Sequence, residues 1–191
     1  MKQVIIVVWI LILSFPIPAV NLSKESEIMK IIEVLNIMNK IAKKEIEICK
    51  KNNVDLKALV LAICKRESNF KADCITEEKN VGDVSVGLMQ IRTDTAKWLN
   101  WLWFKKREDI VKLLLDPEYN IRTGIKYLMK QLKRYNFNVK DAISAYNAGK
   151  ARYKTIKIYR NLYYVCLLYT SDAADELDSV VLGGRRIIKN K

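Results

Sequence analysis

The chain has 191 residues and a formal net charge of +13, half of its residues are hydrophobic, and only three are proline. This length accommodates one domain of ordinary size with some flanking sequence. The composition favours a compact protein over a disordered one. Because the sequence contains no histidine, it excludes a Ser-His-Asp or Cys-His nucleophile and a zinc centre with histidine ligands. Catalysis by the carboxyl groups of aspartate and glutamate is not excluded.

The first twenty residues have the pattern of a secretory signal peptide. Lys2 is followed by an apolar run at 4–15 and then by P-I-P-A-V at 16–20. The run is shorter than the roughly 20 residues that span a bilayer, and small or helix-breaking residues follow it. We predict export to the periplasm or to the extracellular cell wall. The alternative is an uncleaved anchor, in which case the membrane is a partner through this leader alone.

Residues 166–191 differ in character from the rest of the chain. The sequences C-L-L-Y-T-S-D-A-A-D-E at 166–176 and L-G-G-R-R-I-I at 182–188 are similar to a conceptual translation of a transposase-type sequencing adapter. We interpret this segment as read-through that is not native. Its basic and acidic residues cancel, so the chain without it and without Lys2 keeps about +12. In an exported protein this charge favours the anionic cell wall over nucleic acid, or else a lysine-rich solvated surface.

The rest of the chain holds three cysteines, Cys49, Cys64 and Cys74. An oxidising compartment allows one disulfide bond and one remaining thiol. Cys74 can pair with Cys64 or with Cys49, and the sequence does not choose between them. The cysteine spacing matches no metal site, so we predict neither a metal nor a cofactor.

Apolar residues recur at helical spacing along most of the chain. The predicted helices cover about 25–49, 55–69, 93–104, 116–132, 138–148 and 156–165. Most of them begin at a side chain that can cap a helix, namely Asp55, Thr93 or Asp94, Asp116 and Asn138. Residues 71–86 are predicted to be a loop, and no strand of convincing length is present. The predicted fold class is therefore all-α.

Three tryptophans, Trp98, Trp101 and Trp103, lie among leucines in the helix predicted after residue 93. Such side chains either stack on sugars or fill a core. We predict that these three pack in the core.

Glu67 is the candidate catalyst. The apolar positions from Leu56 to Cys64 share one face of the second helix, and Glu67 falls on the same face. A carboxyl group there is costly unless it is neutral, paired or functional, and burial would raise its pKa as a general acid requires. The alternative is a glutamate at a helix end whose carboxylate reaches solvent.

Four motifs follow one another along the chain: E-S-N-F at 67–70, G-L-M-Q-I at 87–91, N-I-R-T-G at 120–124 with Y-L at 127–128, and A-Y-N-A-G at 145–149. In order and spacing they resemble the motifs of the lytic transglycosylase domain typified by the soluble lytic transglycosylases. This family has a lysozyme-like helical fold with a sugar-binding cleft. The resemblance covers about 42–165, which we predict to be the domain, and 21–41 is predicted to be an N-terminal helical spacer.

The resemblance implies a reaction in which Glu67 acts twice. It first protonates the glycosidic oxygen between N-acetylmuramic acid and N-acetylglucosamine, and then takes the proton of the muramic 6-hydroxyl. That hydroxyl attacks the anomeric carbon and leaves a 1,6-anhydro end. One carboxyl group suffices because the nucleophile belongs to the substrate. The implied partner is the peptidoglycan glycan strand, and we expect a monomer.

The resemblance also implies substrate-binding roles for five residues. Ser68 helps to position substrate beside the glutamate, Gln90 bonds to sugar groups, and Met89 packs below them. Tyr146 and Asn147 reach toward the catalytic carboxyl group. The alternatives are a polar helix-end residue for Ser68 and core packing for Tyr146.

The other motif residues have structural interpretations. Gly87 allows backbone to approach a ligand closely. The remaining positions are interpreted mainly as packing, namely Leu88, Ile91, Asn120, Gly124 and Tyr127.

Two other functions compete with this one. Goose-type lysozyme hydrolyses the glycan and shares the first two motifs, but it carries an aspartate two residues after the glutamine to hold a water. Arg92 stands at that position here, which disfavours hydrolysis, although Asp83 and Asp94 are candidate second carboxylates. More remote alternatives are a non-catalytic wall-binding protein, against which the intact Glu67 argues, and a membrane-active basic helix at 25–51, whose glutamates dilute its charge.

Overall fold

In the computed structural model, the described residues are 22–149, 153–155 and 158–159. The helices are α1 (Leu22–Ile41), α2 (Lys43–Lys51), α3 (Leu56–Ser68), α4 (Thr93–Asn100), α5 (Arg107–Leu114), α6 (Pro117–Arg134) and α7 (Val139–Ala148). The strands are β1 (Ile75–Glu78), β2 (Asp83–Val86), β3 (Ile91–Arg92), β4 (Tyr153–Thr155) and β5 (Ile158–Tyr159). The predicted signal peptide, residue 21 of the predicted spacer and the adapter-like segment lie outside the described residues.

Three of the predicted helix caps are confirmed. Asp55 accepts hydrogen bonds from the second and third backbone N–H groups of α3, Asp116 accepts one from Tyr119 N at 2.7 Å, and Asn138 accepts one from Asp141 N at 3.2 Å. Each side chain satisfies an N–H group that has no partner within its own helix.

The predicted cap of α4 is wrong. Residue Arg92 is the cap of this helix and makes no side-chain capping bond. The Thr93 hydroxyl donates to the carboxylate of Asp83 instead, and the backbone N–H of Asp94 also donates to Asp83, at 3.3 Å. The buried carboxylate of Asp83, on strand β2, therefore caps the start of α4 in place of Thr93 or Asp94.

The first predicted helix is divided in two at Ala42, whose backbone leaves the helical region. Its first part, α1, packs against α3 and α6. Val34 and Met38 of α1 are buried in the common core. Because of this packing, α1 is attached to the helices that follow it in the chain.

A small sheet corrects the prediction that 71–86 is a loop. β1 and β2 form an antiparallel hairpin in which Ile75 pairs with Val86, and β3 adds to the other edge of β2. β1 reads I-T-E-E and is largely exposed, so it lacks the apolar alternation that predicts a strand. The rest of the fold is dominated by helices, which confirms the predicted class.

The predicted last helix, 156–165, is wrong where it can be compared with the structure. Residues 158–159 form β5, which pairs antiparallel with β4; the remaining positions of this prediction lie outside the described residues. The sequence Y-K-T-I-K-I-Y at 153–159 is rich in β-branched and aromatic residues. These residue types favour strands when a pairing partner is nearby.

Helix α6 is the centre of the domain. It contacts α1, α4, α5, α7 and β3. The largest completely buried side chains lie in the common core, including Met38, Ile63, Met89, Ile143 and, from α6 itself, Ile121, Leu128 and Leu132. The two sides of α6 consequently border both surfaces described below.

Neither disulfide pairing that the sequence allows is formed among the described cysteines, because Cys49, Cys64 and Cys74 are free thiols. Cys49 and Cys64 are completely buried in the core, whereas Cys74 is half-buried. Cys49 Sγ lies 3.4 Å from the sulfur of Met129. Burial, reinforced by the carboxylate of Glu45, raises the pKa of the Cys49 thiol to about 11, and burial also raises the pKa of Cys64.

The prediction that the three tryptophans pack in the core is wrong. Helix α4 ends at Asn100, and Trp101 takes a left-handed conformation with φ +56°. The chain therefore leaves the helix before Trp103. Between residues 98 and 104, Leu99 is buried and Leu102 is half-buried against the core. Trp98, Trp101 and Trp103 are exposed.

Within the described residues, no helix combines the length and the apolar character that a membrane crossing requires.

Candidate active site

A cleft of about 540 Å³ opens where the end of α3 faces the hairpin and the end of α7. Its walls come from α3, from the hairpin, from the segment at 90–95 and from helices α6 and α7. The lining residues are Glu67, Thr76, Glu78, Asn80, Val81, Ser85, Gln90, Ile91, Arg92, Thr95, Tyr127, Tyr146, Asn147, Ala148 and Gly149. Four of the six predicted site residues are among them, and the other two, Ser68 and Met89, are buried.

Glu67 stands in the last turn of α3 and is half-buried. The two residues that follow the helix, Asn69 and Phe70, both have positive φ, at +50° and +59°. Two consecutive left-handed residues reverse the chain immediately after the helix, and the Phe70 side chain is buried. The E-S-N-F motif therefore ends the helix at the cleft edge and leaves the Glu67 side chain on the cleft wall.

Ser68 joins the end of α3 to the G-L-M-Q-I segment. Its hydroxyl oxygen lies 2.8 Å from Leu88 O and 3.1 Å from Cys64 O, so its proton can be donated to either carbonyl. The side chain is buried and is not part of the cleft lining among the described residues. Its contacts fix the position of its neighbour Glu67 relative to the segment that carries Gln90.

Gln90 is held by its own turn. Its backbone has φ +45°, and its side-chain nitrogen donates to Cys74 O at 3.1 Å and to Gly87 O at 3.0 Å. These bonds orient the amide group on the cleft wall. The side chain is consequently fixed before any ligand arrives.

Asn120 clamps the G-L-M-Q-I segment onto α6. Its oxygen accepts a hydrogen bond from Met89 N at 2.9 Å, and its nitrogen donates to Val86 O and to Leu114 O, both at 2.8 Å. Gly87, with φ +78°, lies against this clamp, and a Cβ atom there would overlap the Asn120 amide and come within 2.7 Å of Leu114 O. Gly87 is therefore required by packing within the protein. This packing explains the glycine in place of the predicted close approach of its backbone to a ligand.

Met89 and Gly124 explain the close contact between this segment and α6. Met89 is completely buried, and a Cβ atom at Gly124 would overlap its sulfur. The packing interpretation of Gly124 is confirmed by this contact. Leu88 and Ile91 are also buried, as predicted, although Ile91 borders the cleft as well.

Two tyrosines form the wall opposite the hairpin. The rings of Tyr127 and Tyr146 lie with centroids 5.2 Å apart and tilted by 51°, and the Tyr146 hydroxyl donates to Met89 O at 2.9 Å. Burial raises the pKa of Tyr127. Tyr127 packs against the core, as interpreted, and it also lines the cleft. Its place in the third family motif, one helical turn after Gly124, is the signal that could have indicated a second role. Asn147, next in the chain, is exposed at the cleft rim.

Glu78 is a second carboxyl group in the cleft, and the sequence interpretation missed it because β1 was assigned to a loop. It is half-buried and accepts a hydrogen bond from the Ser85 hydroxyl at 2.8 Å. The two carboxylates that were candidates, Asp83 and Asp94, do not line the cleft among the described residues.

Asp83 is occupied by structural contacts. Its side chain is completely buried and lies 3.1 Å from Arg92 Nε, and it accepts bonds from Val84 N at 2.8 Å and from Thr93 and Asp94. Burial alone would raise its pKa, but the hydrogen bonds and the guanidinium outweigh it and lower the pKa overall. Asp83 is thus an ionised group that ties the hairpin to the start of α4.

The Transglycosylase SLT domain family matches residues 44–162, which is more than half of the chain. The chain belongs to this family, so the resemblance seen in the four motifs is confirmed, together with the lysozyme-like helical class.

One solved structure among those similar to this chain is an inactive mutant of the lytic transglycosylase Slt from Pseudomonas aeruginosa. It is 22% identical over 79% of this chain, with a TM-score of 0.42. This chain spans 25% of the length of that protein.

Proposed function

We propose that the protein is a peptidoglycan lytic transglycosylase that cleaves the β-1,4 bond between N-acetylmuramic acid and N-acetylglucosamine and leaves 1,6-anhydro ends. The observation that carries the proposal is that the cleft beside Glu67 draws lining residues from each of the four family motifs and their flanks. Residues far apart in sequence converge on one carboxyl group. Membership of the family gives the class of substrate.

Glu67 is the proposed acid and base. Its protonated carboxyl group donates to the glycosidic oxygen as the bond from the anomeric carbon to that oxygen breaks. The resulting carboxylate then takes the proton of the muramic 6-hydroxyl, whose oxygen forms the new bond to the anomeric carbon. The proton count of Glu67 is restored at the end, and no water enters the products.

The other predicted residues divide into two proposed roles. Gln90, Tyr146 and Asn147 border the cleft and are proposed to contact the sugars, with the Gln90 side-chain oxygen as an acceptor for hydroxyl groups. Ser68 and Met89 are buried, and we propose that they position Glu67 and the cleft wall from behind.

Hydrolysis is the second candidate, and Glu78 is the observation that favours it. A second carboxyl group can hold the attacking water of a hydrolase. Glu78 lines the cleft, whereas Asp83 is engaged elsewhere, so the hydrolytic alternative now rests on Glu78.

Digestion of purified peptidoglycan, followed by mass spectrometry of the released muropeptides, separates these candidates. Anhydro ends support the transglycosylase and reducing ends support the lysozyme. Loss of the carboxyl group in Glu67→Gln is expected to lower the rate by about a thousandfold, as for other general acids and bases. Glu77→Gln is the matched control, because Glu77 is exposed on the hairpin and should keep its rate.

Three outcomes would reject parts of the proposal. Full activity of Glu67→Gln would remove Glu67 as the catalyst. A product that changes from reducing to anhydro ends in Glu78→Gln would identify the parent protein as a hydrolase. A folded protein that binds peptidoglycan without releasing any product would be a wall-binding protein.

We also propose that the protein acts outside the cytoplasm as a monomer. The support for the location outside the cytoplasm is the leader pattern at 1–20 and the location of peptidoglycan. The mass of the exported protein, measured after expression of the full chain, tests cleavage of the leader, and its sedimentation tests the oligomeric state.

A further inference from the structure

A second surface of the protein combines exposed aromatic rings with cations. Its aromatic part consists of Trp98, Trp101, Trp103 and Phe104, whose exposed fractions are 43%, 77%, 60% and 81%. We call these four residues the aromatic patch. None of them lines the catalytic cleft.

The patch projects from an ordered turn. Leu102 N donates to Lys97 O at 3.0 Å and Lys105 N donates to Leu102 O at 3.0 Å, so hydrogen bonds fix the chain on both sides of Leu102. The Leu102 side chain packs against the core while its neighbours Trp101 and Trp103 point away from it. The exposure of Trp101, Trp103 and Phe104 therefore follows from the backbone of the turn, while Trp98 lies on the exposed side of α4.

A groove of about 780 Å³ lies beside the patch, between the junction of α1 and α2, helix α4 and helix α6. Trp98 and Trp101 line one side of it. The groove also contains five cationic side chains and one carboxylate, namely Lys44, Arg122, Lys126, Lys130, Lys133 and Glu45. Three further cations, at 105–107, follow the patch directly in the chain.

The cations and the rings form one continuous surface. Lys130 Nζ lies 3.8 Å from the centre of the Trp98 ring, and Lys105 Nζ lies 5.6 Å from that of Phe104. Lys126 donates to Leu99 O at the end of α4 and to Asn100 Oδ1, the latter at 3.2 Å. The positive charge is consequently held at the edge of the exposed apolar area.

We propose that this surface docks on a bilayer that contains anionic phospholipids. Tryptophan and other aromatic rings prefer the headgroup region, where their apolar and polar parts are both accommodated. Lysine and arginine near the surface are attracted by anionic headgroups. The aromatic patch inserts among the headgroups, and the cations of the groove bind lipid phosphates.

The position of Trp103 and Phe104 distinguishes a bilayer from a soluble anionic polymer or glycan. A polymer lying in the groove would contact Trp98 and Trp101, which line it, but Trp103 and Phe104 are outside the lining. A bilayer is a broad surface, and it contacts the two rings that line the groove and the two rings outside it at the same time. It also removes from water the two aromatic rings that a polymer would leave exposed.

Tryptophan fluorescence tests this proposal in the full chain. The sequence has four tryptophans, and Trp9→Phe leaves only the three of the aromatic patch, so leader binding alone gives no signal. The probe is a vesicle of brominated phosphatidylcholine with about 30% phosphatidylglycerol. We expect a blue shift and quenching by about half as the rings enter the headgroup region, and little change with vesicles of phosphatidylcholine alone.

Two charge variants in the same background provide the matched comparison. Lys44→Glu with Lys133→Glu changes the groove, whereas Lys50→Glu with Lys71→Glu changes exposed positions outside its lining by the same charge. The groove pair should raise the lipid concentration needed for half-maximal quenching about tenfold or more, and the control pair about twofold or less. Circular dichroism verifies that both variants fold.

Three results would overturn the proposal. One is an absence of quenching with anionic vesicles, even where the leader holds the protein on them. The second is an equal effect of the two charge variants. The third is a fluorescence shift produced by a soluble wall polymer or glycan and by no vesicle, which would assign the surface to that polymer.

Discussion

The catalytic cleft and the aromatic patch use aromatic side chains in opposite ways. In the cleft, Tyr146 is buried, and its hydroxyl is bound to the backbone of another motif. In the patch, Trp101 and Trp103 are exposed, and their positions follow from one left-handed turn. A cleft must hold its groups still for catalysis, whereas a surface that meets a partner needs its rings outside the core. Substitutions should therefore destabilise the protein at the cleft and leave its stability nearly unchanged at the patch.

Among the variants considered, Asn120→Ala is expected to lower the stability of the protein the most. It removes three hydrogen bonds and leaves buried backbone groups without partners, at a cost of about 4 kcal/mol in the free energy of unfolding. Activity should fall with stability, because the clamp carries the cleft wall. Chemical denaturation measures the loss.

Trp103→Ser is the control for this measurement, since exposed positions change stability by about 0.5 kcal/mol or less. Equal denaturation midpoints for the two variants would show that the clamp contributes nothing and would break the contrast.

Asp83→Asn should have an intermediate effect that depends on pH. The pKa of Asp83 is lowered in the folded protein, so its ionised form stabilises the fold above the ordinary carboxyl pKa, and this contribution is lost as pH falls through the lowered value. We expect the substitution to cost about 2 kcal/mol near neutral pH, because it weakens a buried charge-assisted network.

The measurement is the free energy of unfolding of the parent protein and of Asp83→Asn at several acidic pH values. The difference between them should shrink from about pH 5 to about pH 3. A difference that stayed constant over this range would mean that the carboxylate charge of Asp83 does not contribute.

Tyr146→Phe is expected to cost less stability than Asp83→Asn, about 1 kcal/mol, because it removes the hydrogen bond from its hydroxyl to Met89 O. The ring and its contact with Tyr127 remain. If the hydroxyl positions the cleft wall, turnover of peptidoglycan should fall by more than the loss of stability explains. Turnover equal to that of the parent protein, with stability reduced, would limit Tyr146 to packing.

The sequence predicted α3, α6 and α7 well because the signals of these three helices are local. Asp55, Asp116 and Asn138 occupy caps that any helix of this kind needs, and the apolar spacing continues from them. The strands gave no such signal, since β1 is short, polar and exposed, and β2 is a strand of four residues that is defined by its pairing with β1 and β3. The same reason explains why Glu78 was missed as a cleft residue.

The sequence predicted those residues of the candidate site that belong to the four motifs. Glu67, Gln90, Tyr146 and Asn147 come together as lining residues. The buried positions of Ser68 and Met89 depend on tertiary contacts that periodicity does not contain. The exposure of Trp101 depends on one backbone angle at the end of α4, and a run of tryptophans and leucines does not reveal where a helix stops.

The free cysteines provide a means to follow how the domain opens. Cys49 and Cys64 are completely buried and Cys74 is half-buried, and a thiol reacts with an alkylating reagent as its exposed thiolate. Cys74 is therefore labelled in the folded protein, while the other two are labelled at the rate at which the core around α2 and α3 opens. The native residues record the local stability of the helix that carries Glu67, and no introduced probe is needed.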